Sequence, residues 1–534
     1  MNGSPSGLLR GPDAFRNVYV GALALCAIML PWSTAFLSMA QMLLAANWLA
    51  EGIVRKDLLG RFRRVVSSAP ALVFLSFFGL HVLGLAWSDD LQWGLDLVRI
   101  LLPVLVFGVI LSGSPRLRSG EYNIVLLLGA WSVVCSTFVN LGLHNGSEMD
   151  YRSLSHFISH IRLTLLLCSA IVIFLLDKSA PMALRIAGYA AAIWSLVFID
   201  QLASIQGVII LGSIGLVFLF RAAGRWSPVP KYGTRALSLA LPLLLIGWTA
   251  QQLRGYFALP DAKLGVQVER TAGGEAYTHD LANPQQENGT HVFTYFAWGE
   301  LRRTWPLRSS VSLDSSDAQG HVLWGTLTRY LTSKGARKDS VSIMALTDAE
   351  VRGIEQGNTD AYPERTTELR KRLDEVGYEL GQYRAYGRAN GHSVSMRLEF
   401  LKAGWAIAKQ HWLVGVGTGD TKQVFSAQYE TMNSSLAPEW RHRAHDQYLT
   451  LWISFGVFGM VWSLITWWWP AYRLGAWKRA HFIAWAIIFG VSCLSDDTIE
   501  TQAGATFFAL YYTLFVFAAP DTINQRADRK PVAD

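Results

Sequence analysis

The stretch that decides the fold is MRLEFLKAGWAIAKQHWLVGVGTGDTKQVF at 396–425, followed after a polar segment by RHRAHDQYLTLWISFGVFGM at 441–460. A charged, aqueous segment meets a lipid-grade apolar helix here, with Arg397 at one end and histidines at the junction. Ionisable residues are costly to keep near hydrocarbon, so those at the mouth of a membrane helix are candidates for function. We therefore expect the rest of the chain to act as a scaffold for this junction.

The composition predicts a polytopic membrane protein. Of its 534 residues 51% are hydrophobic and 16% are charged, mean hydropathy is +0.24, and the apolar residues form long runs. The net charge of +7 comes largely from short loops between these runs, so we do not expect nucleic-acid binding. Four cysteines lie within apolar runs, which leaves the large hydrophilic segment without a disulfide or CxxC site: Cys26, Cys135, Cys168 and Cys493.

Windows of about 17 to 22 apolar residues, the length that crosses a bilayer, predict an all-α membrane protein with about 12 transmembrane helices. The windows are 17–35, 37–54, 70–87, 96–113, 122–142, 161–177, 184–200, 203–220, 236–252, 446–469, 481–495 and 503–519. The first window has no convincing cleavage site after it, and we interpret it as a retained span instead of a signal peptide.

Five loops rich in Lys and Arg fall on one side of this arrangement, and the positive-inside bias makes that side cytoplasmic. They contain Arg55 to Arg64, Arg116 and Arg118, Lys178 and Arg185, Arg221 to Arg235, and Arg473 to Arg479. Both termini are expected on the same side. The long segment before Ala444 is then extracytoplasmic, and so is the expected working face of the protein. No fixed-period repeat is evident, so a duplicated transporter is not supported.

The predicted domains are an N-terminal membrane domain (1–252), a large extracytoplasmic loop (253–444), C-terminal membrane helices (445–519) and a cytoplasmic tail (520–534). The loop is long enough to hold a small mixed α/β subdomain. Strands are predicted at Thr290–Leu301 and Ser310–Leu313, a capped helix at Thr347–Gly357, and a surface helix at Thr366–Leu380. Residues 396–412 suit an interfacial helix, with Phe400, Leu401, Trp405, Ala408 and Trp412 on an apolar side.

His445 is the first candidate for catalysis, because it immediately precedes the apolar helix on the aqueous side. A neutral imidazole there can take a proton from a sugar hydroxyl near neutral pH; the alternative is a histidine that only caps the helix or meets lipid headgroups. His442, three residues earlier, hints at metal binding. With arginines interleaved and no HExxH pattern, we do not expect a metal.

Arginines crowd the same junction: Arg397, Arg441 and Arg443. Guanidinium groups bind phosphate oxygens bidentately and suit a diphosphate leaving group, although interfacial arginines also anchor to headgroups. Arg162 opens the span RLTLLLCSAIVIFLL at the same predicted membrane level. It either contacts phosphate or snorkels to the interface.

Three further features have simpler structural interpretations. Gly415, Gly417 and Gly419 lack the spacing and strand of a nucleotide fingerprint, and predict a turn where only glycine fits. Gln206 is either a substrate contact or a helix-packing residue, and we favour packing. The acidic turn that contains Asp496, Asp497 and Glu500 is expected to carry solvated charge.

The compound pattern from Arg397 to Asp420 and from Arg443 to Gly459 resembles the O-antigen ligase family, whose relatives include O-antigen and exopolysaccharide polymerases. The shared features are an Arg before a Trp-containing helix, a GxGxG turn, and an AHxxYL segment that opens a membrane helix with GxxG. The resemblance is strongest over 397–459 and otherwise rests on the number of spans and one large external loop.

The resemblance implies a metal-independent glycosyltransferase of the GT-C type, with no nucleotide sugar or other cofactor. It would transfer a glycan from undecaprenyl diphosphate to an acceptor sugar hydroxyl, such as that of lipid A-core, on the periplasmic face. His445 would be the base on the acceptor, and Arg397 would hold the diphosphate. Electrostatic stabilisation of the leaving group and positioning of the hydroxyl agree with the residue chemistry.

Two positions depart from the family pattern. Asp446 replaces the Asn that commonly follows the histidine, which places a negative charge beside the proposed base. Gln206 replaces the Arg of an SRG motif that contributes to diphosphate binding, so that charge is missing. Arg162 or an arginine of the junction, such as Arg443, is expected to substitute for it, with Gln206, Asp446 and His442 as other substrate contacts.

Three alternatives remain open. A polymerase of the same superfamily would differ only in its acceptor. A transporter of lipid-linked glycan would place ionisable residues near the bilayer midplane, whereas here they collect at one surface. A receptor or assembly scaffold would make the loop domain essential and His445 dispensable.

Overall fold

The computed structural model describes residues 14–144, 154–254, 269–283, 285–287, 290–362 and 368–520. These residues are mostly helical, and their only two-stranded sheet pairs β1 (Gln286–Glu287) with β2 (Thr290–His291) in antiparallel register, Gln286 opposite His291. The helices are α1 (Ala14–Met29), α2 (Thr34–Val54), α3 (Leu58–Val66), α4 (Ala69–Leu83), α5 (Leu91–Ile100), α6 (Leu102–Gly113), α7 (Ser119–Leu143), α8 (His160–Leu176), α9 (Met182–Gln201), α10 (Ile205–Ala223), α11 (Pro228–Arg254), α12 (Trp298–Thr304), α13 (Leu323–Ser333), α14 (Ser340–Met344), α15 (Asp348–Glu355), α16 (Glu368–Tyr386), α17 (Ser393–Gln410), α18 (Thr421–Thr431), α19 (Gln447–Arg473), α20 (Ala480–Ser492) and α21 (Gln502–Thr513).

Eight helical stretches of the described chain are long and apolar enough to cross a membrane. They are Thr34–Val54, Ala69–Trp87, Leu91–Gly113, Ser119–Leu143, Met182–Gln201, Ile205–Ala223, Pro228–Arg254 and Gln447–Arg473. Shorter apolar helices occupy Ala14–Met29, His160–Leu176, Ala480–Ser492 and Gln502–Ala518. This result agrees with a polytopic membrane protein, whereas the total of about 12 spans and the orientation stay predictions.

The chain forms two compact units. Unit 1 contains residues 1–227, 400–432 and 442–534, and unit 2 contains residues 228–399 and 433–441. These units are defined by contacts within the chain, so the membrane-domain boundaries at 252, 444 and 519 stay predictions.

The core of unit 1 is built around helices that are buried along nearly their whole length. Every residue of α21 from Ala503 to Thr513 is buried, and so is every residue of α8 from Arg162 to Phe174. Aromatic rings fill the space beside α21; Phe508, for example, lies 4.8 Å from Phe489 between ring centroids. Because α8, α20 and α21 run through this core, their ends are held in fixed positions.

The glycine turn docks against a break in α19. Gly456 interrupts that helix with φ +66° and ψ −175°, and the chain from Trp412 to Gly417 lies against the gap. The N–H groups of Val416 and Gly417 donate to the carbonyls of Ile453 and Ser454, both at 2.9 Å, and the N–H of Val457 donates to Trp412 at 2.8 Å. The predicted turn is therefore confirmed.

The same turn is also fixed to the end of α4 and the start of α5. Thr418 donates its hydroxyl to the carbonyl of His81 at 2.7 Å. The carboxylate of Asp420 accepts the N–H groups of Asp89 and Asp90 at 2.8–3.0 Å. A side-chain donor and a side-chain acceptor thus satisfy backbone groups that an irregular segment would otherwise leave unpaired beside an apolar core.

The helix predicted within residues 396–412 is confirmed by α17, but the prediction that its apolar residues share one side is wrong. Phe400 and Ala408 are buried, whereas Leu401, Trp405 and Trp412 are 40–55% exposed. Two apolar faces therefore exist in this stretch, because Phe400 and Ala408 fall on the face that packs into the protein. The interfacial position stays a prediction.

Unit 2 confirms the capped helix and corrects both predicted strands. Thr347 and Glu350 form a capping box at the start of α15, and Gly357 follows its end with φ +90°. The strand predicted over 290–301 ends at His291, and α12 begins at Trp298, because Leu301 and Trp305 recur at helical spacing and are both buried. Residues 310–313 form no strand. Helix α16 confirms the second predicted helix from residue 368; residues 366 and 367 lie outside the described residues. The mixed α/β subdomain stays a prediction.

Gly456→Ala should destabilise the protein. A Cβ at this position would lie 2.0 Å from the Leu413 carbonyl oxygen, and backbone strain at such φ costs about 1–3 kcal/mol by itself. We expect a lower midpoint of thermal unfolding in detergent. Gly212→Ala, in α10 with open space around it, is the control and should be neutral or stabilising by up to ~1 kcal/mol. Equal midpoints for wild type and Gly456→Ala would contradict the assigned role.

Lys338→Met should stabilise unit 2 near pH 7. Lys338 is 2% exposed, and desolvation lowers its pKa from 10.5 to about 8. The unfolded chain therefore binds more protons between pH 8 and 10.5, so wild-type stability rises with pH across that window, and below it the buried charge costs about 3 kcal/mol.

Amide hydrogen exchange of α13 and α14 in the full-length protein measures this effect. Lys338→Met should increase protection at pH 7 and lose the rise in protection above pH 8. Lys334→Met is the matched control, because Lys334 pairs with Glu350 at 2.6 Å and its loss should not stabilise. Unchanged protection in Lys338→Met would contradict the prediction.

Candidate functional site

His445 lies in unit 1, two residues before α19, in a backbone conformation that non-glycine residues seldom adopt. Its φ is +47°, a strain that folded structures keep mainly at functional positions. Asp446, the next residue, is the N-cap of α19 and accepts the N–H of Leu449 at 2.9 Å. Either Asn or Asp can cap a helix, so this departure from the family pattern preserves the local structure. Burial raises the pKa of Asp446, and backbone hydrogen bonds partly oppose the rise.

A buried carboxylate joins His445 to Arg162. Oδ1 of Asp496 lies 3.4 Å from Nδ1 of His445, and Oδ2 forms an ion pair with Arg162, whose Nε also donates to Thr501 at 3.1 Å. The side chains of Asp496 and Arg162 are each 8% exposed, whereas that of His445 is 35% exposed. The imidazole of His445 is therefore accessible to solvent, whereas the Asp496 and Arg162 side chains that hold it are buried.

Burial opposes ionisation of Asp496, but the hydrogen bond from His445 and the charge of Arg162 outweigh it and lower the pKa of this carboxyl. A carboxylate that accepts from Nδ1–H leaves Nε2 of the imidazole as the free acceptor. The arrangement therefore holds His445 in the tautomer that a general base requires.

The prediction that the acidic turn is solvated is wrong. Asp496 and Asp497 are each 6% exposed, and Asp497 accepts the hydroxyl of Thr450 at 2.7 Å. Gln447 ties the turn to the start of α19, since its N–H donates to Cys493 at 2.8 Å and its side-chain oxygen accepts from Ile499 at 3.0 Å. The turn is buried because its charges are paired with basic and hydroxyl groups from α8 and α19.

Gln206 contacts the same turn from α10. Its Nε2 donates to the hydroxyl of Ser495 at 3.0 Å, and Ser204 caps the helix by accepting the N–H of Gly207 at 3.2 Å. This contact supports the packing interpretation of Gln206, and its role as a substrate contact stays a prediction.

Arg443 and His442 lie beside the histidine in unit 1. Arg443 pairs with Glu500 and lies 5.7 Å from the ring centroid of Trp93. The ring of His442 is 5.8 Å from that of His445; desolvation first, and then the charge of His445, lower the pKa of His442. Among the described residues no group of three possible metal ligands occurs; metal independence stays a prediction.

Arg397 belongs to unit 2, on α17, where its side chain is exposed. Its side chain makes no hydrogen bond or ion pair within the described residues. The carboxylate of nearby Glu399 already has partners in unit 2, because it accepts hydrogen bonds from the hydroxyls of Ser434, at 2.6 Å, and Tyr383. The exposed guanidinium is therefore open to a ligand.

Sequence reasoning missed Asp496 as a member of the site. The available signal was two adjacent aspartates between two strongly apolar helices, a position where an unpaired charge is expensive. Thr450 and Thr501, the hydroxyl partners of the turn and of Arg162, carried no signal of their own.

Comparison with known proteins supports one class of membrane enzyme. Residues 341–464, about a quarter of the chain, match the Wzy_C family model, described as O-antigen ligase. This segment includes Arg397 and His445, and the match confirms the resemblance drawn from 397–459. It implies a membrane glycosyltransferase-like function of the O-antigen ligase or polymerase type, with a lipid-linked glycan donor and a glycan acceptor. A search of curated proteins found no match.

Asp496→Ala should strongly destabilise the protein, because it leaves Arg162 buried without its carboxylate. Breaking a buried ion pair in this way costs about 3–5 kcal/mol, which should appear as a lower thermal unfolding midpoint in detergent. Asp200→Ala, at an exposed position near the end of α9, is the matched control. The double variant Arg162→Met/Asp496→Leu should recover most of the loss, and an unchanged midpoint in Asp496→Ala would contradict the pairing.

Proposed function

We propose that this protein is a membrane glycosyltransferase of the O-antigen ligase type, which transfers a glycan from undecaprenyl diphosphate to an acceptor sugar hydroxyl such as that of lipid A-core. The observation that carries the proposal is the half-exposed His445 held by the buried Asp496, within a segment that matches the O-antigen ligase family. The proposed architecture is GT-C-like, and the proposed location is the bacterial inner membrane with the site facing the periplasm.

In the proposed reaction the acceptor hydroxyl gives its proton to Nε2 of His445 as its oxygen attacks the anomeric carbon of the donor. The bond between that carbon and the diphosphate oxygen breaks, and undecaprenyl diphosphate leaves with the bonding electrons. Asp496 acts as a positioning residue, since it fixes the tautomer and balances the imidazolium that forms. No metal is needed if arginines carry the charge of the leaving group.

Arg397 is the proposed principal ligand of the diphosphate, because the family resemblance assigns it there and its side chain has no competing partner within the described residues. Arg443 is half-buried and paired with Glu500, so phosphate would share it with that carboxylate. Arg162 is more deeply committed to Asp496 and Thr501. We retain Arg162 as a candidate diphosphate ligand. Its contacts favour a second role, in which it supports His445 through Asp496. Gln206, Asp446 and His442 remain proposed substrate contacts.

The second candidate is a polymerase of the same superfamily, in which the acceptor is another carrier-linked glycan. The chemistry at His445 would be identical, so the acceptor alone separates the two. Transport of a lipid-linked glycan has less support, because the charged groups of the described site lie at helix ends.

Glycan transfer in membranes tests the proposal. With an undecaprenyl-diphosphate-linked glycan and a lipid A-core acceptor, His445→Ala should lose at least 100-fold in rate, since general-base catalysis contributes about 10²–10⁴-fold. Arg397→Ala should also lose about 100-fold, since one group that stabilises developing charge contributes about 10²–10³-fold. His411→Ala and Arg388→Ala, both at exposed positions, are matched controls and should retain activity at equal expression.

The acceptor separates the two candidate functions. A product that appears only with lipid A-core supports a ligase, and elongation of carrier-linked glycan without it supports a polymerase. Undiminished transfer by His445→Ala would exclude the assigned base in either case.

A further inference from the structure

The helices that end at the His445 site carry a cavity at their opposite ends, within unit 1. The site uses the start of α8 and the turn between α20 and α21. The cavity of about 410 Å³ lies at the end of α8, the start of α20, the start of α7 and the residues after α21. This volume falls in the range of pockets that hold small ligands, about 300–1,000 Å³. Nothing in the proposed transfer reaction uses it.

The polar part of the cavity contains two cations. Arg479 and Lys178 line it beside His481, and Arg479 is half-buried. Its guanidinium donates to the carbonyl of Phe515 at 2.5 Å, but no acidic side chain of the described residues pairs with it. Desolvation by burial, followed by the positive charge of Arg116, lowers the pKa of Arg479.

The acidic residue among those lining the cavity, Asp177, forms no ion pair with Arg479 or Lys178 in the described chain. Asp177 accepts both the N–H and the hydroxyl of Ser179, at 2.9 and 2.6 Å, and has no ion pair in the described chain. Lys178 is exposed and His481 makes no hydrogen bond within the described residues. Arg479 and Lys178 thus have no carboxylate partner among the described residues, and phosphate oxygens are suitable acceptors for their N–H groups.

The remaining walls are apolar and belong to membrane-grade helices. Leu126, Leu127, Ile173 and Leu176 line the cavity beside Asn123. Cationic donors on one side of the cavity and aliphatic side chains on the other suit an amphiphile with a phosphate headgroup. A free ion would make no favourable contact with the leucine side chains. By the positive-inside prediction this end of the helices lies in the cytoplasmic leaflet.

We infer that this cavity binds the phosphodiester headgroup of an anionic glycerophospholipid, with Arg479 and Lys178 on the phosphate and the leucines of α7 and α8 along the upper acyl chain. The site is independent of the glycan-transfer proposal and would persist if that proposal failed. The bound lipid would anchor one end of α8 and one end of α20. The opposite ends of these two helices support His445.

Native mass spectrometry of the full-length protein, released from nanodiscs that contain phosphatidylglycerol or phosphatidylcholine, tests the inference. Wild type should retain phosphatidylglycerol in preference to phosphatidylcholine. Arg479→Ala and Lys178→Ala should each reduce the retained fraction about fivefold, since one basic residue near an anionic lipid contributes roughly 1 kcal/mol. Lys478→Ala is the matched control, because Lys478 is an exposed neighbour that does not line the cavity.

Two further variants separate loss of the site from misfolding. Arg479→Lys keeps the charge and should retain most binding, and Leu127→Trp fills the cavity without changing charge and should lose it. Equal retention in wild type, Arg479→Ala and Leu127→Trp would overturn the inference, and so would equal loss in Lys478→Ala. Displacement of bound lipid by millimolar inorganic phosphate would overturn the lipid assignment in favour of a free-phosphate site.

Discussion

The carboxylate of Asp496 is the constraint on which the site depends. Arg162 is buried at the start of a helix that runs through the core of unit 1, where an unpaired guanidinium would be prohibitively costly. Asp496 supplies the compensating charge and binds His445 with its other oxygen. A buried ion pair adds little net stability compared with apolar residues of the same size. It does fix the position of the turn that contains Asp496, and this turn fixes the position of the His445 side chain.

A broken helix joins the two halves of the family motif. Gly456 opens α19, and the segment around Gly415 and Gly417 fills the gap with backbone hydrogen bonds. Within a membrane protein every buried N–H and carbonyl needs a partner, so this segment and the break require each other. Gly415 and Gly456 are needed because the two backbones approach too closely for any Cβ, and a Cβ at Gly417 would meet Ser88 and the Gly84 carbonyl. The glycine part of the motif, around Gly415 and Gly417, therefore has mainly a structural role: it holds the break in α19 and so sets the direction of that helix.

The two ends of the α8, α20 and α21 group differ in how their charge is balanced. At the His445 end Arg162 is paired with Asp496 and Arg443 with Glu500. At the other end Arg479 faces a cavity with no acidic side chain of the described residues paired to it. Paired charge holds a rigid site in place, whereas unpaired charge beside apolar walls is suited to an external anion.

The sequence by itself determined the membrane character, the positions of the apolar helices and the glycine turn, because each depends on local composition and spacing; it also singled out His445 as a candidate, and that role stays a prediction. The capping box at Thr347 was equally local. Tertiary structure decided which charges are buried: Asp496 and Asp497 look like a solvated turn in the sequence, and only the convergence of Arg162, His445 and Thr450 from distant helices gives them partners. It also decided that residues 298–304 form a helix, because burial of Leu301 against Trp305 outweighs their aromatic, strand-like composition. Pairing between residues hundreds of positions apart leaves no periodic trace in a single sequence, which is the physical reason for this division.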